Sequence, residues 1–219
     1  MKQNNKVEKI IKEVEMRQNI KTICFDVDDV LLNTQDRIIQ KVKELYGDEL
    51  KISEIDSWDF YERKYPKIID FFASAELYDE NNKAISGMDF ILQASLERYD
   101  IKLVTSTHPN AREAKEKLLR KYFSHVPGFL NVPIHHVELK KQSDKAKKHS
   151  KRELCENSIL IDDAIHNIEE ALLNSNTYCI LVDFGYGWNK KDISSYSRTI
   201  RATCPSDILR CIIGFENCF

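Results

Sequence analysis

Three aspartates, Asp26, Asp28 and Asp29, stand close together at the end of the apolar segment 23–25. Carboxylates held about 4–6 Å apart raise each other's pKa, and a bound divalent cation removes this penalty. The crowding therefore favours a magnesium site at the carboxyl end of a strand. The alternative is a simple turn, in which Asp28 and Asp29 are solvated and Asp26 caps a helix.

A second acidic pair weakens the turn interpretation. Asp162 and Asp163 end another apolar segment, at 158–161, and Thr105 ends a third at 101–105. In open parallel sheets, ligands bind beyond the carboxyl ends of the strands. Acids at two such ends can therefore share one metal.

Apolar, β-branched segments recur along the chain and alternate with helical patterns. The predicted strands cover about 21–26 and then 101–105, 134–139, 158–161 and 178–182, and an amphipathic helix is predicted at 6–17. This alternation favours an α/β fold, in which helices cover both faces of a parallel sheet.

Residues 35–88 interrupt the alternation. A helical pattern at 38–45 is followed by an aromatic-rich segment, which predicts a small helical insertion over the site. We expect most of its rings to form the insertion's own core, and Trp58 and Phe60 to be among the few that contact a ligand. For residues 184–188, a surface loop is favoured over a position at the rim of the site.

The composition is that of a globular protein without a polyanionic partner. The chain has 219 residues, 42% apolar and 31% charged, with a net charge of −2, so it fits one domain with an insertion. We expect a cytoplasmic protein, because no membrane-spanning run or signal peptide is evident. Six cysteines without a CxxC pair argue against zinc, and the adjacent His135 and His136 are interpreted as structural.

Four segments carry a resemblance: DVDDVLLNT at 26–34, LVTST at 103–107, SDKAKK at 143–148 and ILIDD at 159–163. Over nearly the whole chain, they resemble the four motifs of the haloacid dehalogenase-like (HAD) phosphohydrolase superfamily. Within it the chain is most similar to the 5′(3′)-deoxyribonucleotidase family. The features of that similarity are the second acid of DVDD, WDF at 58–60, EKLLRKYF at 116–123 and Asn167.

The resemblance implies a fold and a division of the chain. The fold would be a HAD-like Rossmannoid three-layer α/β sandwich with a mostly parallel sheet. Residues 1–34 and 89–219 would form the catalytic core, and residues 35–88 a small helical cap inserted after the first strand.

The resemblance also implies catalytic roles. Asp26 would attack phosphorus and form an aspartyl-phosphate, while Asp28 would act as general acid and then as the base that activates water. The i, i+2 spacing puts these two carboxylates on one side of an extended chain. Thr105 would donate its hydroxyl to a phosphate oxygen, with Ser106 beside it.

The implied metal site uses oxygen ligands alone. Asp26, the main-chain carbonyl of Asp28 and Asp163 would bind the ion, with Asp162 beside them. Few protein ligands, all of them oxygen, suit Mg²⁺ better than zinc.

The basic segment 140–152 would supply a lysine to the phosphate. Ser143 or Asp144 can cap a helix here, so that a lysine near the start points into the site. Lys145 is favoured over Lys148, which lies one turn further along. The other interpretations are a solvated helix face and a nucleic-acid patch.

The favoured function is a Mg²⁺-dependent phosphatase that hydrolyses a small phosphomonoester, most plausibly a nucleoside or deoxynucleoside monophosphate. The alternatives are a phosphatase of nucleic-acid ends or of another phosphorylated macromolecule, and a non-catalytic HAD-fold binding module. A dehalogenase ranks last, because that reaction does not need the acid at Asp28. Neither a membrane nor a nucleic-acid partner is expected, and a homodimer is among the assembly states left open.

Overall fold

A six-stranded parallel sheet forms the centre of the protein. The computed structural model describes residues 20–57, 59–137, 151–174 and 176–217. The strands are β1 (Thr22–Phe25), β2 (Asp100–Ser106), β3 (Ile134–Val137), β4 (Ser158–Asp162), β5 (Tyr178–Val182) and β6 (Thr199–Ala202). Their order across the sheet is β3-β2-β1-β4-β5-β6, and every neighbouring pair is parallel. The predicted α/β class is confirmed.

The α-helices of the described ranges connect or follow these strands. They are α1 (Thr34–Tyr46), α2 (Phe60–Lys64), α3 (Ile69–Phe72), α4 (Met88–Leu96), α5 (Arg112–Phe123), α6 (Lys151–Leu154), α7 (Ile165–Ala171) and α8 (Pro205–Asn217). Within those ranges, none is both long and apolar enough to pass through a lipid bilayer. The helix predicted at 6–17 lies outside the described residues.

Apolar segments account for four of the five strands that the sequence predicts, whereas β3 contains His135 and His136 between Ile134 and Val137. Every residue of β4 and β5 is buried, as expected for strands that are covered on both faces. The sixth strand, β6, was not predicted. It pairs with β5 at the edge of the sheet, where Ile200 is 36% exposed and Arg201 interrupts the apolar pattern.

The position of β1 in the sheet explains where the acids gather. Phe25, its last residue, pairs with Leu103 of β2 and with Ile161 of β4. The chain extends the sheet on one side of β1 through β2 and β3, and on the other side through β4 to β6. Such a reversal is the topological switch point at which open α/β sheets bind ligands.

Two apolar layers cover the sheet, one on each face. Alternate residues of β1 belong to different layers: Ile23 and Phe25 to one, Cys24 to the other. The first layer includes side chains of α1, α4, α5 and α8, and the second includes Ile168 and Ala171 of α7. Helices therefore lie on both faces, as the three-layer prediction requires.

The chain between β1 and β2 is helical, as predicted for residues 35–88, and carries α1 to α4. Its rings pack on one another: the Tyr61 ring centroid lies 5.5 Å from that of Phe60, 5.5 Å from that of Phe72 and 6.4 Å from that of Tyr65. These contacts agree with the expectation that most rings form an internal core. The exact division into core and cap stays a prediction.

Candidate active site

The loop between β1 and α1 places the first group of acids. Asp26 follows β1 directly, and its N–H donates to the carbonyl of Ile161 at 2.8 Å, so it continues the pairing with β4. Asp29 has φ +57°, which is uncommon for a residue with a side chain. Its carboxylate accepts the N–H of Gln35 at 2.9 Å and so caps the first turn of α1. This bond offsets the cost of the backbone conformation.

Three buried carboxylates converge at the carboxyl ends of β1 and β4. Asp26, Asp162 and Asp163 each offer an oxygen, and these oxygens lie within 4.8 Å of one another. All three side chains belong to buried residues, and Asp29 is buried as well. Asp29 is therefore not solvated as the turn alternative required, and Asp26 belongs to the acid cluster.

The two acids of the second pair have different partners. Asp162 accepts hydrogen bonds from the main-chain N–H of Ala164 at 2.9 Å, from Asn167 at 3.0 and 3.2 Å, and from Lys151 at 2.7 Å. Asp163 accepts a bond from the indole N–H of Trp188, at 3.2 Å. Because protein donors surround Asp162, Asp163 is the better placed of the two to bind a metal with Asp26.

The acids of this cluster have raised pKa values. Burial, opposed by Lys151 and assisted by the charges of Asp162 and Asp28, raises the pKa of Asp26 to about 6. Burial and the neighbouring acids also raise the pKa of Asp163 well above its usual value. Three buried carboxylates with one lysine leave an excess of negative charge, which a divalent cation with a preference for oxygen would compensate. The donor set therefore fits Mg²⁺.

Lys151 is the lysine that the structure places beside the nucleophile candidate. Its ammonium lies 2.6 Å from Oδ2 of Asp26 and 2.7 Å from Oδ2 of Asp162. Burial lowers the pKa of Lys151, but the charges of Asp162 and Asp26 outweigh it and raise the pKa overall. The predicted Lys145 and Lys148 lie outside the described residues.

The fold explains why Lys151 reaches the acids. A helix that leads into a parallel strand runs back across the sheet, so its first residue lies near the carboxyl edge. In the described residues, α6 covers Lys151–Leu154 and leads into β4. The expected helix start at Ser143 or Asp144 directed the choice to an earlier lysine.

Asp28 lies outside the acid cluster, in a separate network of hydrogen-bonded polar side chains. Its carboxylate accepts hydrogen bonds from Nζ of Lys115 at 2.6 Å, from the Thr34 hydroxyl at 2.7 Å and from the Tyr78 hydroxyl at 3.1 and 3.2 Å. The Asp28 side chain is 25% exposed. Three donors thus hold a partly accessible carboxylate two residues after Asp26.

Lys115 connects Asp28 to Thr105 and was not identified from the sequence. Its ammonium also donates to the Thr105 hydroxyl oxygen at 2.7 Å and lies 3.4 Å from the carbonyl of Ser106. Since Thr105 accepts this bond, its own proton remains available for a phosphate oxygen. The missed signal is spacing, because Lys115 shares the buried face of α5 with Leu118 and Leu119.

A small cleft adjoins the acid cluster. It is lined by Gln35, Ile55, Ser57, Tyr61, Phe72 and Trp188. Trp188 connects the cleft to the acid cluster, since its indole N–H donates to the Asp163 carboxylate. The Trp188 ring also stacks on Tyr186, with centroids 4.6 Å apart and planes at 4°. Flat side chains thus form much of the wall beside the carboxylates.

The described aromatic residues that line this cleft are Tyr61, Phe72 and Trp188. The surface-loop interpretation of residues 184–188 is wrong, because Tyr186 is buried and Trp188 lines the cleft. Phe60 is buried against Tyr61 instead of lining the cleft. Trp58 lies outside the described residues.

Comparison with known protein families gives the identity of this fold and site. The family model for 5′ nucleotidase, deoxy (pyrimidine), cytosolic type C proteins matches residues 19–198, which is most of the chain. The chain belongs to this family. It is therefore a HAD-like phosphatase, a phosphoric monoester hydrolase of the 5′-nucleotidase type.

Solved structures support the fold of this 5′ nucleotidase family member. A HAD-like hydrolase from Streptococcus pneumoniae has a TM-score of 0.57 at 13% identity and covers 89% of this chain and 99% of its own. The magnesium-bound HAD hydrolase YfnB of Bacillus subtilis has a TM-score of 0.56 at 16% identity, with coverages of 89% and 99%. A HAD-like hydrolase from Xanthomonas campestris has a TM-score of 0.56 at 15% identity, with coverages of 90% and 96%. A comparison with curated protein sequences finds no significant match.

The structure of this HAD-like phosphatase brings together side chains from all three of the described motif segments. Asp26 and Asp28 come from the first, Thr105 from the second, and the acidic pair from the segment that ends β4. The catalytic and ligand roles of the individual residues stay predictions.

Proposed function

We propose that the protein is a Mg²⁺-dependent phosphatase that hydrolyses a nucleoside or deoxynucleoside monophosphate through an aspartyl-phosphate intermediate. The observation that carries this proposal is the convergence of Asp26, Asp162 and Asp163 within 4.8 Å, next to Lys151. A cluster of this kind neutralises a phosphate and presents a carboxylate to it, which are the main tasks of a phosphoryl-transfer site.

The proposed reaction has two displacements. A carboxylate oxygen of Asp26 forms a bond to phosphorus while the bond from phosphorus to the ester oxygen breaks, and Asp28 gives its proton to the leaving alcohol. Asp28 then takes a proton from water, whose oxygen attacks the aspartyl-phosphate. This step releases phosphate and restores Asp26.

Asp26 and Asp163 are the proposed side-chain ligands of Mg²⁺, with the main-chain carbonyl of Asp28. Asp162 would stay outside this set because it holds Lys151 and the end of β4. A bound Mg²⁺ supplies Lewis-acid polarisation of the phosphate and lowers the repulsion between the phosphate and Asp26. The magnesium-bound structure of YfnB supports the choice of metal.

Two further residues would bind the transferred phosphate. Lys151 holds a buried positive charge beside Asp26, and this charge can stabilise the negative charge that develops on the phosphate oxygens. The Thr105 hydroxyl, oriented by Lys115, has a proton to donate. Ser106, the last residue of β2, lies beside it and stays a proposed helper.

The cleft supports a small planar substrate. Its Tyr61, Phe72 and Trp188 rings offer flat apolar faces on which a single heterocycle can stack. The family's own description names deoxy and pyrimidine nucleotides. A phosphatase of nucleic-acid ends is the second candidate, motivated by the basic segment 140–152, most of which lies outside the described residues.

Phosphate release from defined substrates tests the proposal. We expect Mg²⁺-dependent turnover of mononucleotides, with weaker turnover of sugar phosphates and p-nitrophenyl phosphate, and loss of turnover in Asp26→Asn. Asp192→Asn, at an exposed site, is the matched control and should retain activity. Turnover without metal, or by Asp26→Asn, would contradict the mechanism. Turnover confined to oligonucleotide ends would favour the second candidate.

A further inference from the structure

One side chain of the helical insertion contacts the proposed general acid. Tyr78 ends the 3₁₀ turn Ala75–Tyr78, in the chain between β1 and β2. Its hydroxyl donates to both carboxylate oxygens of Asp28, at 3.1 and 3.2 Å. Tyr78 is only 6% exposed. A segment outside the sheet therefore supplies a buried hydrogen-bond donor to a carboxylate of the active site.

Three donors divide the acceptor positions of Asp28 among them. The Thr34 hydroxyl binds Oδ1 at 2.7 Å, Nζ of Lys115 binds Oδ2 at 2.6 Å, and the Tyr78 hydroxyl lies at nearly equal distances from both oxygens. A carboxylate has about four lone-pair positions for hydrogen bonds. Three donors leave one position for the proton that a general acid must carry, so the direction of that proton is defined.

Tyr78 is itself held in place by contacts on two sides. Nζ of Lys115 lies 4.8 Å from the centroid of its ring, within the range of a cation–π interaction. The next residue, Asp79, accepts two hydrogen bonds from the buried guanidinium of Arg37, at 3.1 and 3.0 Å. The phenol is therefore oriented before a substrate binds, and little conformational freedom is lost in using it.

We propose that Tyr78 is a positioning residue for the general acid, and that its hydroxyl holds the Asp28 carboxyl group in the orientation that passes a proton to the leaving oxygen. This inference rests on the proposed function and adds a task for the helical insertion to it. Tyr78 contacts no reacting atom in this role and keeps its own proton. Without its hydroxyl, a second acceptor position of Asp28 becomes free, and the proton can point away from the leaving oxygen.

Leaving groups of different basicity test the inference. Phenyl phosphate and p-nitrophenyl phosphate have similar shapes, but phenolate is far more basic than p-nitrophenolate, so its departure depends more on a general acid. The value of kcat/KM covers the steps up to the departure of the leaving group. It omits the hydrolysis of the aspartyl-phosphate, which both substrates share. The ratio of the two kcat/KM values therefore isolates the proton transfer to the leaving oxygen.

We expect Tyr78→Phe to lower kcat/KM about tenfold for phenyl phosphate, the scale of one hydrogen bond, and less than about twofold for p-nitrophenyl phosphate. The ring and its contact with Lys115 remain in this variant, so the fold should be retained. Tyr122→Phe is the matched control. Its hydroxyl also joins α5 to the insertion, but the partner is the carbonyl of Glu80, at 3.5 Å. Both kcat/KM values should be unaltered in this control.

A double variant shows whether Tyr78 acts through Asp28. Asp28→Asn removes the acid, so it should lower kcat/KM for phenyl phosphate by more than Tyr78→Phe does. Adding Tyr78→Phe to Asp28→Asn should not change the ratio between the two substrates further, because both residues serve one proton transfer. A further tenfold loss for phenyl phosphate in the double variant would show that the two residues act independently, and would overturn the inference.

The outcomes separate the inference from the proposed function. Equal losses for both aryl phosphates in Tyr78→Phe, or no loss for either, overturn the role of Tyr78 and leave the phosphatase intact. A loss confined to nucleotides also overturns it, because Tyr78 would then contact the nucleoside. Absence of turnover of nucleotides and of both aryl phosphates by the unaltered protein overturns the inference together with the proposed function.

Discussion

At the scale of single residues, Lys151 compensates part of the negative charge of the acid cluster. Its ammonium is buried and ion-paired with both Asp26 and Asp162. Removing one partner of a buried ion pair leaves an uncompensated charge, which costs about 3–5 kcal/mol. The lysine and a divalent cation act on the same carboxylates, so each should partly replace the other.

We expect Lys151→Met to lower the free energy of unfolding by about 3–5 kcal/mol without metal and by less in saturating Mg²⁺. Urea unfolding with and without Mg²⁺ measures both values. Lys191→Met removes an exposed lysine that pairs with Glu169 and should have little effect. An equal loss with and without Mg²⁺ would show that the two cations do not share carboxylates.

Lys115 acts through Asp28 and Thr105, so its removal should affect the chemistry more than substrate binding. Lys115→Met is expected to reduce kcat about a hundredfold, the lower end of a general acid–base contribution, while KM changes little. Lys117→Met, on the exposed side of the same helix, is the control. A change in KM alone would place Lys115 in binding instead of in positioning.

The acids of the site could be predicted from the sequence, whereas its lysines were missed. Asp26 and Asp163 each follow an apolar run, and that position fixes them at the carboxyl edge of a parallel sheet. Lys151 and Lys115 lie on helices, where the burial of a lysine depends on which turn faces the sheet. Spacing can put Lys115 on a buried face, but the acid that a lysine reaches depends on packing and is absent from the local pattern.

At the scale of elements, the cleft depends on a close approach between two chain segments. The turn at Gly187–Asn189 packs against the turn at Ile52–Glu54 and the residue after it. A Cβ atom at Gly187 would clash with the main-chain oxygen of Ile55 and lie 2.7 Å from that of Ser53. Glycine is therefore required here, and it brings Trp188 to the cleft wall.

We expect Gly187→Ala to separate these segments, to raise KM and to lower the free energy of unfolding by about 1–3 kcal/mol, the usual cost of overpacking. Steady-state kinetics and urea unfolding measure the two effects. Gly214→Ala is the matched control, since a Cβ at this position of α8 meets open space and should stabilise the helix by up to about 1 kcal/mol. Unchanged KM in Gly187→Ala would contradict this role of the contact.

Two elements were not recognised from the sequence: strand β6 and the buried loop at 184–188. Strands β1, β2, β4 and β5 were recognisable because each has an apolar run, and β3 because Ile134 and Val137 flank its two histidines. Strand β6 was not, because it is a short edge strand with Arg201 in it. The loop at 184–188 contains two glycines and three aromatic residues, a composition that also suits an exposed turn. Its burial arises from contact with the distant segment 53–55, which no local pattern encodes.

At the scale of the whole molecule, the acid cluster makes stability depend on pH. Burial and the surrounding charges raise the pKa of Asp26 from 3.8 to about 6, so the folded protein holds this proton more tightly than the unfolded chain. The resulting stabilisation is complete below about pH 4 and is lost as the pH rises through about 6. Asp163, whose pKa is also raised, contributes with the same sign.

Mg²⁺ competes with these protons for the carboxylates. The stabilisation by Mg²⁺ should therefore increase with pH, whereas the stabilisation by the protons decreases with pH. We expect the increase in Tm caused by Mg²⁺ to be close to zero at pH 4 and to grow until it levels off above the pKa of Asp26. Thermal unfolding across this range measures it. Asp26→Asn should give a smaller and flatter response, and a Tm increase of the same size at pH 4 and pH 8 would contradict the shared site.

The central position of β1 has a consequence for biosynthesis. Asp26 is synthesised before Asp162 and Asp163, which arrive with β4, and β4 can pair with β1 only after β2 and β3 have been made. A nascent chain that has reached β3 can therefore form strand pairs before Asp26 meets Asp162 and Asp163. Repulsion between them arises late, once the fourth strand docks, and a cation can stabilise only a chain that has reached that stage.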